Sequence, residues 1–153
     1  MKPVFFIVCM FCLFFGCKSS DQLVKRQTIG EKIESKNYTI SFNKADPLRE
    51  KNVSLTSGYT LTIENDSIYS LLPFFGKASY TSSTDRNEIR FREPHINYQL
   101  RSAKKDNYEI RFNVKRADYQ YEFLLWVYDN DKCALTVNSP QRESITYYGK
   151  INR

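Results

Sequence analysis

Apolar and polar residues alternate along most of the chain after Lys36. In residues 108–114, for example, Tyr108, Ile110, Phe112 and Val114 are separated by Glu, Arg and Asn. Successive side chains of a β-strand point to opposite faces, so this period of two predicts strands with one buried face. We expect such strands at residues 38–42, 59–63, 66–72, 78–80, 89–91, 96–100, 108–114, 133–137 and 144–151.

One segment breaks the alternation. Residues 119–128 are apolar on both faces around the run FLLWVY, which predicts a central strand covered on both sides. The turn residues 129–131 (Asp-Asn-Asp) follow, and residues 133–137 return as the hairpin partner. No helical pattern of about 10–15 residues separates the strands, as it would in an α/β protein. The sequence therefore predicts one all-β domain, either an antiparallel sandwich or a curled half-barrel.

The N-terminus has a different pattern, typical of an export signal. After Met1-Lys2, residues 4–15 are an unbroken apolar run. As a helix this run spans about 18 Å, too short for a hydrocarbon core of about 30 Å. It ends in LFFG-Cys17, followed at once by polar residues, which resembles a bacterial lipobox. We expect residues 1–16 to be a signal peptide and Cys17 to be acylated; an ordinary cleaved signal with a chance cysteine is the alternative.

This N-terminus predicts the domain organisation and the location. Residues 17–36 are polar and charged and are expected to form a tether between the lipidated Cys17 and a β-rich domain at 37–153. Each buried methylene contributes about 0.8 kcal/mol, so several acyl chains hold a protein permanently on a bilayer. We expect a protein of the cell envelope on the outer membrane, facing either the periplasm or the exterior.

Composition narrows the partners. The chain carries a net charge of +6, which becomes +5 when Lys2 leaves with the signal, and 15% of its residues are aromatic. A mild positive excess suits an anionic membrane surface or a polyanionic glycan, although a simply well-solvated surface has the same signature. An exported chain without a basic cluster is not expected to bind nucleic acid.

The residues for common catalytic and metal chemistry are few. After processing, Cys133 is the one remaining unacylated thiol, and its alternation with Leu135 and Val137 predicts a buried position. His95 is the single histidine, so neither a metal site nor a catalytic triad is expected, and no cofactor motif occurs. Carboxylates at Asp66, Asp85, Glu88 and Glu93 lie beside turns; they leave a small hydrolase as the least favoured alternative.

Two segments carry a resemblance to a known family. They are LPFFGKA at 72–78 and RESITYYGKI at 142–151. Together with the lipobox they resemble a family of small Gram-negative envelope lipoproteins known as domain of unknown function forty-two fifty-one. The resemblance covers about residues 38–151 and implies an exported β-rich domain, but no activity. The chain departs from the family at residues 129–132, where a glycine is more usual, which leaves the local turn type open.

The two segments also contain the candidate contact residues. In an extended chain the neighbouring rings of Phe74 and Phe75 point to opposite faces, so one is expected to cap the core. The segments form either a packed structural corner or a polar-aromatic contact surface. The candidate contact surface consists of Pro73, Phe74, Phe75, Gly76, Lys77, Arg142, Tyr147, Tyr148 and Gly149. We expect a non-enzymatic binding module for an unidentified ligand or envelope protein, without a cofactor; an accessory subunit of an envelope complex is the alternative.

Overall fold

The alternating segments of the sequence form the strands of one antiparallel sheet. The computed structural model describes residues 28–78, 87–104, 107–116 and 119–152. Within these ranges, a helix α1 (Ile29–Glu34) precedes ten strands. The strands are β1 (Asn37–Pro47), β2 (Val53–Ser54), β3 (Thr60–Glu64), β4 (Ser67–Pro73), β5 (Glu88–Pro94), β6 (Ile96–Ser102), β7 (Tyr108–Lys115), β8 (Gln120–Val127), β9 (Lys132–Ser139) and β10 (Arg142–Ile151). The all-β prediction is confirmed, whereas the expected signal peptide and Cys17 lie outside the described residues.

The sheet curls into a half-barrel. Its strand order is β5-β4-β3-β1-β10-β9-β8-β7-β6, with β2 paired beside β1. Every neighbouring pair is antiparallel, and the first and last long strands, β1 and β10, lie side by side in the middle of the sheet. Of the two predicted architectures, the half-barrel is therefore the one that forms.

Aromatic packing inside the curl brings its two edges together. Phe112 of β7 stacks on Phe123 of β8 with ring centroids 4.9 Å apart. Phe91, on the edge strand β5, reaches the same cluster, 5.9 Å from Phe123 and 5.8 Å from Tyr121. Outside the core, Arg116 donates to the carbonyl oxygen of Arg90 at 3.1 Å. Side chains, rather than a β-ladder between β5 and β6, hold the half-barrel nearly closed.

Helix α1 lies at one end of the half-barrel and belongs to the packed domain. Thr28 and Glu31 form a capping box, in which the Thr28 hydroxyl accepts from the Glu31 amide and the Glu31 carboxylate accepts from the Thr28 amide. Ile33 is fully buried in the core, and the Lys36 carbonyl accepts from the Asn65 amide at 2.8 Å. Residues 28–36, which were expected to belong to the tether, therefore pack with the sheet, because one apolar side chain of a capped helix is buried in the core.

Two expectations about individual strands are corrected. Strand β8 is not covered on both faces, because a curled single sheet has its core only on the inside; Leu124 and Trp126 lie on the outer face, half-buried. Strand β6 was expected to bury Ile96 and Leu100, but these side chains are 45% and 37% exposed. β6 is an edge strand whose register shifts after Ile96, and Asn97 has a φ of +55°.

The central pair β1–β10 depends on a glycine. A Cβ atom on Gly149 would collide with the backbone of Ser41 and Phe42 on β1. Directly after this contact the register of β1 shifts between Phe42 and Lys44, which makes Asn43 the extra residue of a bulge. Gly149 thus permits the close approach on which the centre of the sheet is built.

We predict that Gly149→Ala destabilises the protein by about 2 kcal/mol or more, because backbone atoms of β1 must move to admit the methyl group. Guanidinium unfolding of the variant measures the loss. Lys150→Ala, the exposed neighbour on the same strand, is the control and is expected to change stability by less than about 0.5 kcal/mol. Equal unfolding free energies for the two variants would show that the backbones are not in tight contact.

Candidate functional site

The two segments at residues 72–78 and 142–151 meet at the end of the half-barrel opposite α1. The Tyr147 hydroxyl donates to the carbonyl oxygen of Pro73 at 2.7 Å, which joins β10 to the end of β4. Next to it, the Glu143 amide donates to the Lys77 carbonyl and the Lys77 amide donates to the Glu143 carboxylate, both at 3.1 Å. Gly76, with a φ of +121°, makes the turn between these contacts.

Arg142 occupies the middle of this corner. Its guanidinium carbon lies 4.8 Å from the ring centroid of Phe74 and 4.8 Å from that of Tyr119. The guanidinium also donates to the carbonyl oxygen of Glu88 at 3.2 Å, and the residue is only 5% exposed. Planar stacking between two rings suits arginine, whose charge is delocalised and weakly hydrated. The residue therefore connects β10, β5 and the Phe74 segment from inside.

This corner buries much of the expected contact surface. Pro73, Phe74, Arg142 and Tyr147 are buried, and Tyr147 is not exposed at all. Burial raises the pKa of Tyr147 well above its ordinary value, which is consistent with a neutral phenol held in the core. These four side chains cannot contact a partner in this conformation. The four residues form a packed structural corner, and Arg142 and Tyr147 do not line a polar-aromatic groove.

The remaining candidate residues lie in two separate places. At the corner, Phe75 and Gly76 are half-buried and Lys77 is exposed. Tyr148 and Gly149 lie near the other end of β10, where Gly149 pairs with Cys133. Tyr148 is 39% exposed, because it points outward where Tyr147 points inward. The nine residues do not form one surface.

A groove opens beside Tyr148, on the outer face of the sheet toward the α1 end. Its volume is about 500 Å³. Tyr128 and Tyr148 are the aromatic side chains that line it, and they are 37% and 39% exposed. The other lining residues are Asn43, Asn107, Asp129, Asn130, Lys132, Cys133, Gly149 and Lys150. Two features described above shape the groove: the bulge places Asn43 in its wall, and Gly149 contributes no side chain.

A row of outward-facing residues borders this groove. In the antiparallel register, Trp126 of β8 pairs with Ala134 of β9, and Ala134 pairs with Tyr148 of β10. Adjacent strands are about 4.8 Å apart, so the two rings are carried on backbones about 10 Å apart with a methyl group between them. Tyr128 lies two residues after Trp126. The Trp126, Tyr128 and Tyr148 side chains are called the aromatic row below.

The polar atoms of the groove are ordered by its turns. The Asn107 carboxamide oxygen accepts from the Asp129 amide at 3.1 Å, and the Asn130 carboxamide oxygen accepts from the Lys132 amide at 3.2 Å. Asp131, within the turn at residues 129–132, takes a positive φ of +66°. The turn therefore keeps a left-handed residue even though glycine is absent.

His95 lies between the two edge strands, and its ring is largely covered. The side chain is 7% exposed, its Nε2 atom is 3.0 Å from the Asn65 carbonyl oxygen, and its ring centroid lies 4.9 Å from that of Tyr98. The Asp66 carboxylate, 3.9 Å away, is exposed. Among the described residues, no three His, Cys, Asp or Glu side chains converge as a metal site would require. No described helix is long and apolar enough to cross a bilayer.

The comparisons with known proteins concern the family and the fold. Residues 21–151 match the family described as "Domain of unknown function (DUF4251)". The chain belongs to this family. No curated protein matches the sequence.

A solved structure supports the same fold. The crystal structure of a DUF4251 family protein from Bacteroides eggerthii DSM 20697, at 1.95 Å resolution, is similar to this chain with a TM-score of 0.62. The two sequences are 11% identical, and the match covers 78% of this chain and 80% of that chain. The family suggested by the two segments is thus confirmed, and the structural likeness extends to the half-barrel alone.

The prediction that Cys133 is a buried hydrophobe is confirmed, since it is 2% exposed. Burial raises the pKa of its thiol to about 12. At pH 8 the folded protein then holds about one thiolate in ten thousand, whereas the unfolded chain holds roughly a tenth or more. Because the folded pKa is the higher one, the stabilisation is complete below about pH 9 and is lost as the pH rises toward 12.

We therefore predict that iodoacetamide labels Cys133 very slowly in the folded protein at pH 8 and rapidly in 6 M guanidinium. Mass spectrometry of a chain beginning at Lys18, in which Cys133 is the only thiol, measures both rates. Rapid labelling under native conditions would show that the thiol is accessible from the groove.

Proposed function

We propose that this protein is a lipid-anchored lipoprotein of the cell envelope and that its half-barrel is a non-enzymatic binding module. The groove beside the aromatic row is the binding site. The observation that carries this proposal is the exposure of Tyr128 and Tyr148 around one concave surface bordered by the half-buried Trp126, while the interior of the curl is filled by side chains. Single exposed rings are ordinary on a protein surface, but a cluster beside a groove is typical of a contact site.

The position of α1 supports the anchored arrangement. Eleven positions separate Cys17 from Thr28, so an extended tether reaches at most about 36 Å at ~3.3 Å per residue. Thr28 caps α1, and the groove opens toward this same end of the half-barrel. An anchor at Cys17 holds the groove close to the membrane and leaves the packed corner at the far end.

We predict that Cys17→Ser moves the protein from the membrane fraction to the soluble fraction, because the acyl chains are lost with the thiol. Fractionation and intact-mass measurement of the parent and the variant test this expectation. Ser19→Ala, two residues further on, is the control and should leave the lipid mass and the membrane location unchanged. A Cys17→Ser variant that stays on membranes with an unchanged mass would contradict the anchor.

The groove is tested through the single tryptophan. Trp126 lies in the aromatic row, so a molecule bound there changes its fluorescence. We predict that soluble material released from the cell envelope by lysozyme shifts the emission of the acylated protein in detergent. Tyr148→Ala should abolish the shift, whereas Tyr69→Ala, a half-buried ring on β4, should not. An identical shift in both variants would place binding elsewhere.

An accessory role in an envelope complex is a second candidate, favoured by the edge strand β6. Ile96 and Leu100 are exposed there, and an edge strand can pair with a strand of another chain. A partner that is retained by the Tyr148→Ala variant would favour this edge over the groove.

A further inference from the structure

We propose that the groove binds an acidic saccharide, meaning a short oligosaccharide that carries carboxylate or sulfate groups. This inference rests on the proposed function, because it assigns a ligand class to the same groove. Three properties of the lining carry it: the geometry of the rings, the hydrogen-bonding capacity of the amides and the sign of the charge.

The aromatic row matches the flat faces of sugar rings. A pyranose ring exposes axial C–H bonds on its faces and hydroxyl groups around its edge, so it packs on an aromatic face while its rim remains polar. Tyrosine and tryptophan offer a large apolar surface with a polar handle at one end. Trp126 on β8 and Tyr148 on β10 flank strand β9, whose Ala134 lies between them and leaves the space open. Their orientation is set by the sheet before any ligand arrives.

The side-chain carboxamides of the groove supply N–H donors for the oxygen atoms of a ligand. The carboxamide oxygens of Asn107 and Asn130 already accept from turn amides, so the two NH₂ groups are the parts of these side chains that remain for a ligand. Asn43 provides a third carboxamide at the bulge. Asp129 is an acceptor for hydroxyl groups. A ligand rich in hydroxyl and other oxygen atoms uses this set fully.

The charge of the lining selects for an acid. Lys132 and Lys150 line the groove with Asp129 as the one opposing carboxylate in the lining. Neither ammonium group has a carboxylate within ion-pair distance in the part of the chain that the structure describes. An anion on the ligand supplies the missing partner, and it gains from electrostatic attraction that salt weakens.

The same surface is poorly suited to a peptide. Extended peptides bind by adding a strand to a free sheet edge, and helical peptides need an apolar groove. Strands β8, β9, β10 and β1 are each paired on both sides, so the groove has no free edge. Six of its ten lining residues carry an amide or a charged group, so it is not the purely apolar groove that a helical peptide needs.

The test uses the acylated mature protein in a detergent without a sugar headgroup. Binding of each probe is measured by Trp126 fluorescence and by titration calorimetry. The probes are a galacturonic acid trisaccharide and a chondroitin sulfate tetrasaccharide. The neutral control is the fully methyl-esterified galacturonic acid trisaccharide. We expect at least one acidic probe to bind about tenfold more tightly than the ester control, or better. We expect its affinity to fall as the salt concentration rises from about 0.05 M to about 0.5 M.

Matched variants locate the site. Tyr148→Ala and Lys132→Gln should each weaken binding of the acidic probe by about tenfold or more. Tyr69→Ala and Lys115→Gln, which change a ring on β4 and an exposed lysine on β7, should leave it unchanged. Circular dichroism of each variant shows that the fold is kept, because all four side chains point outward or are only half-buried.

If neither acidic probe binds, the saccharide assignment is overturned. It is also overturned if the ester control binds as tightly as the acidic probes. If envelope material still shifts Trp126 in a Tyr148-dependent manner, the groove is a binding site for another class, such as a protein, and the proposed function stands. If neither the probes nor the envelope material bind, both proposals fail.

Discussion

The structure depends on the pairing of its first and last long strands. β1 and β10 join the β3–β5 half of the sheet to the β6–β9 half, so the curl exists only if these two backbones come together. Gly149 permits that approach, because any side chain there would occupy the space of the Ser41 carbonyl. The bulge at Asn43 follows directly and increases the local twist. One close contact therefore determines both how the sheet closes and where its outer face becomes concave.

The same strand supplies the core and the candidate site through its period of two. Tyr147 points inward, is fully buried and bonds to Pro73, whereas Tyr148 points outward into the groove. The two neighbouring tyrosines have the same chemistry, and only the face of the strand separates their roles. For this reason a contiguous motif is a poor guide to a contiguous surface in a β protein. The nine candidate residues come from two short segments of the sequence, but they belong to a corner and to a groove at different ends of the sheet.

Much of the fold followed from alternation alone, and the errors have physical causes. The strands around Ile110 and Leu135 were predictable because each buries every second residue on one core. The two-faced apolar run at Leu124 and Trp126 was interpreted as a covered strand, since single-sequence patterns do not distinguish a second layer from an exposed binding face. The Thr28 capping box was present in the sequence but was overlooked in a polar segment. The groove was not predictable, because it combines side chains from three strands and two turns whose proximity depends on the register.

The two segments at residues 72–78 and 142–151 explain the scaffold better than the function. Arg142, stacked between Phe74 and Tyr119, is needed wherever this corner forms, whatever the molecule binds. By contrast, Trp126 and Tyr148 lie on the outer face of the sheet, outside the buried core. Large rings that remain partly in water stabilise the isolated fold little. Held on rigid strands, however, they lose little conformational entropy when a ligand covers them. The outward residues that the fold does not need are therefore the ones through which its activity is best sought.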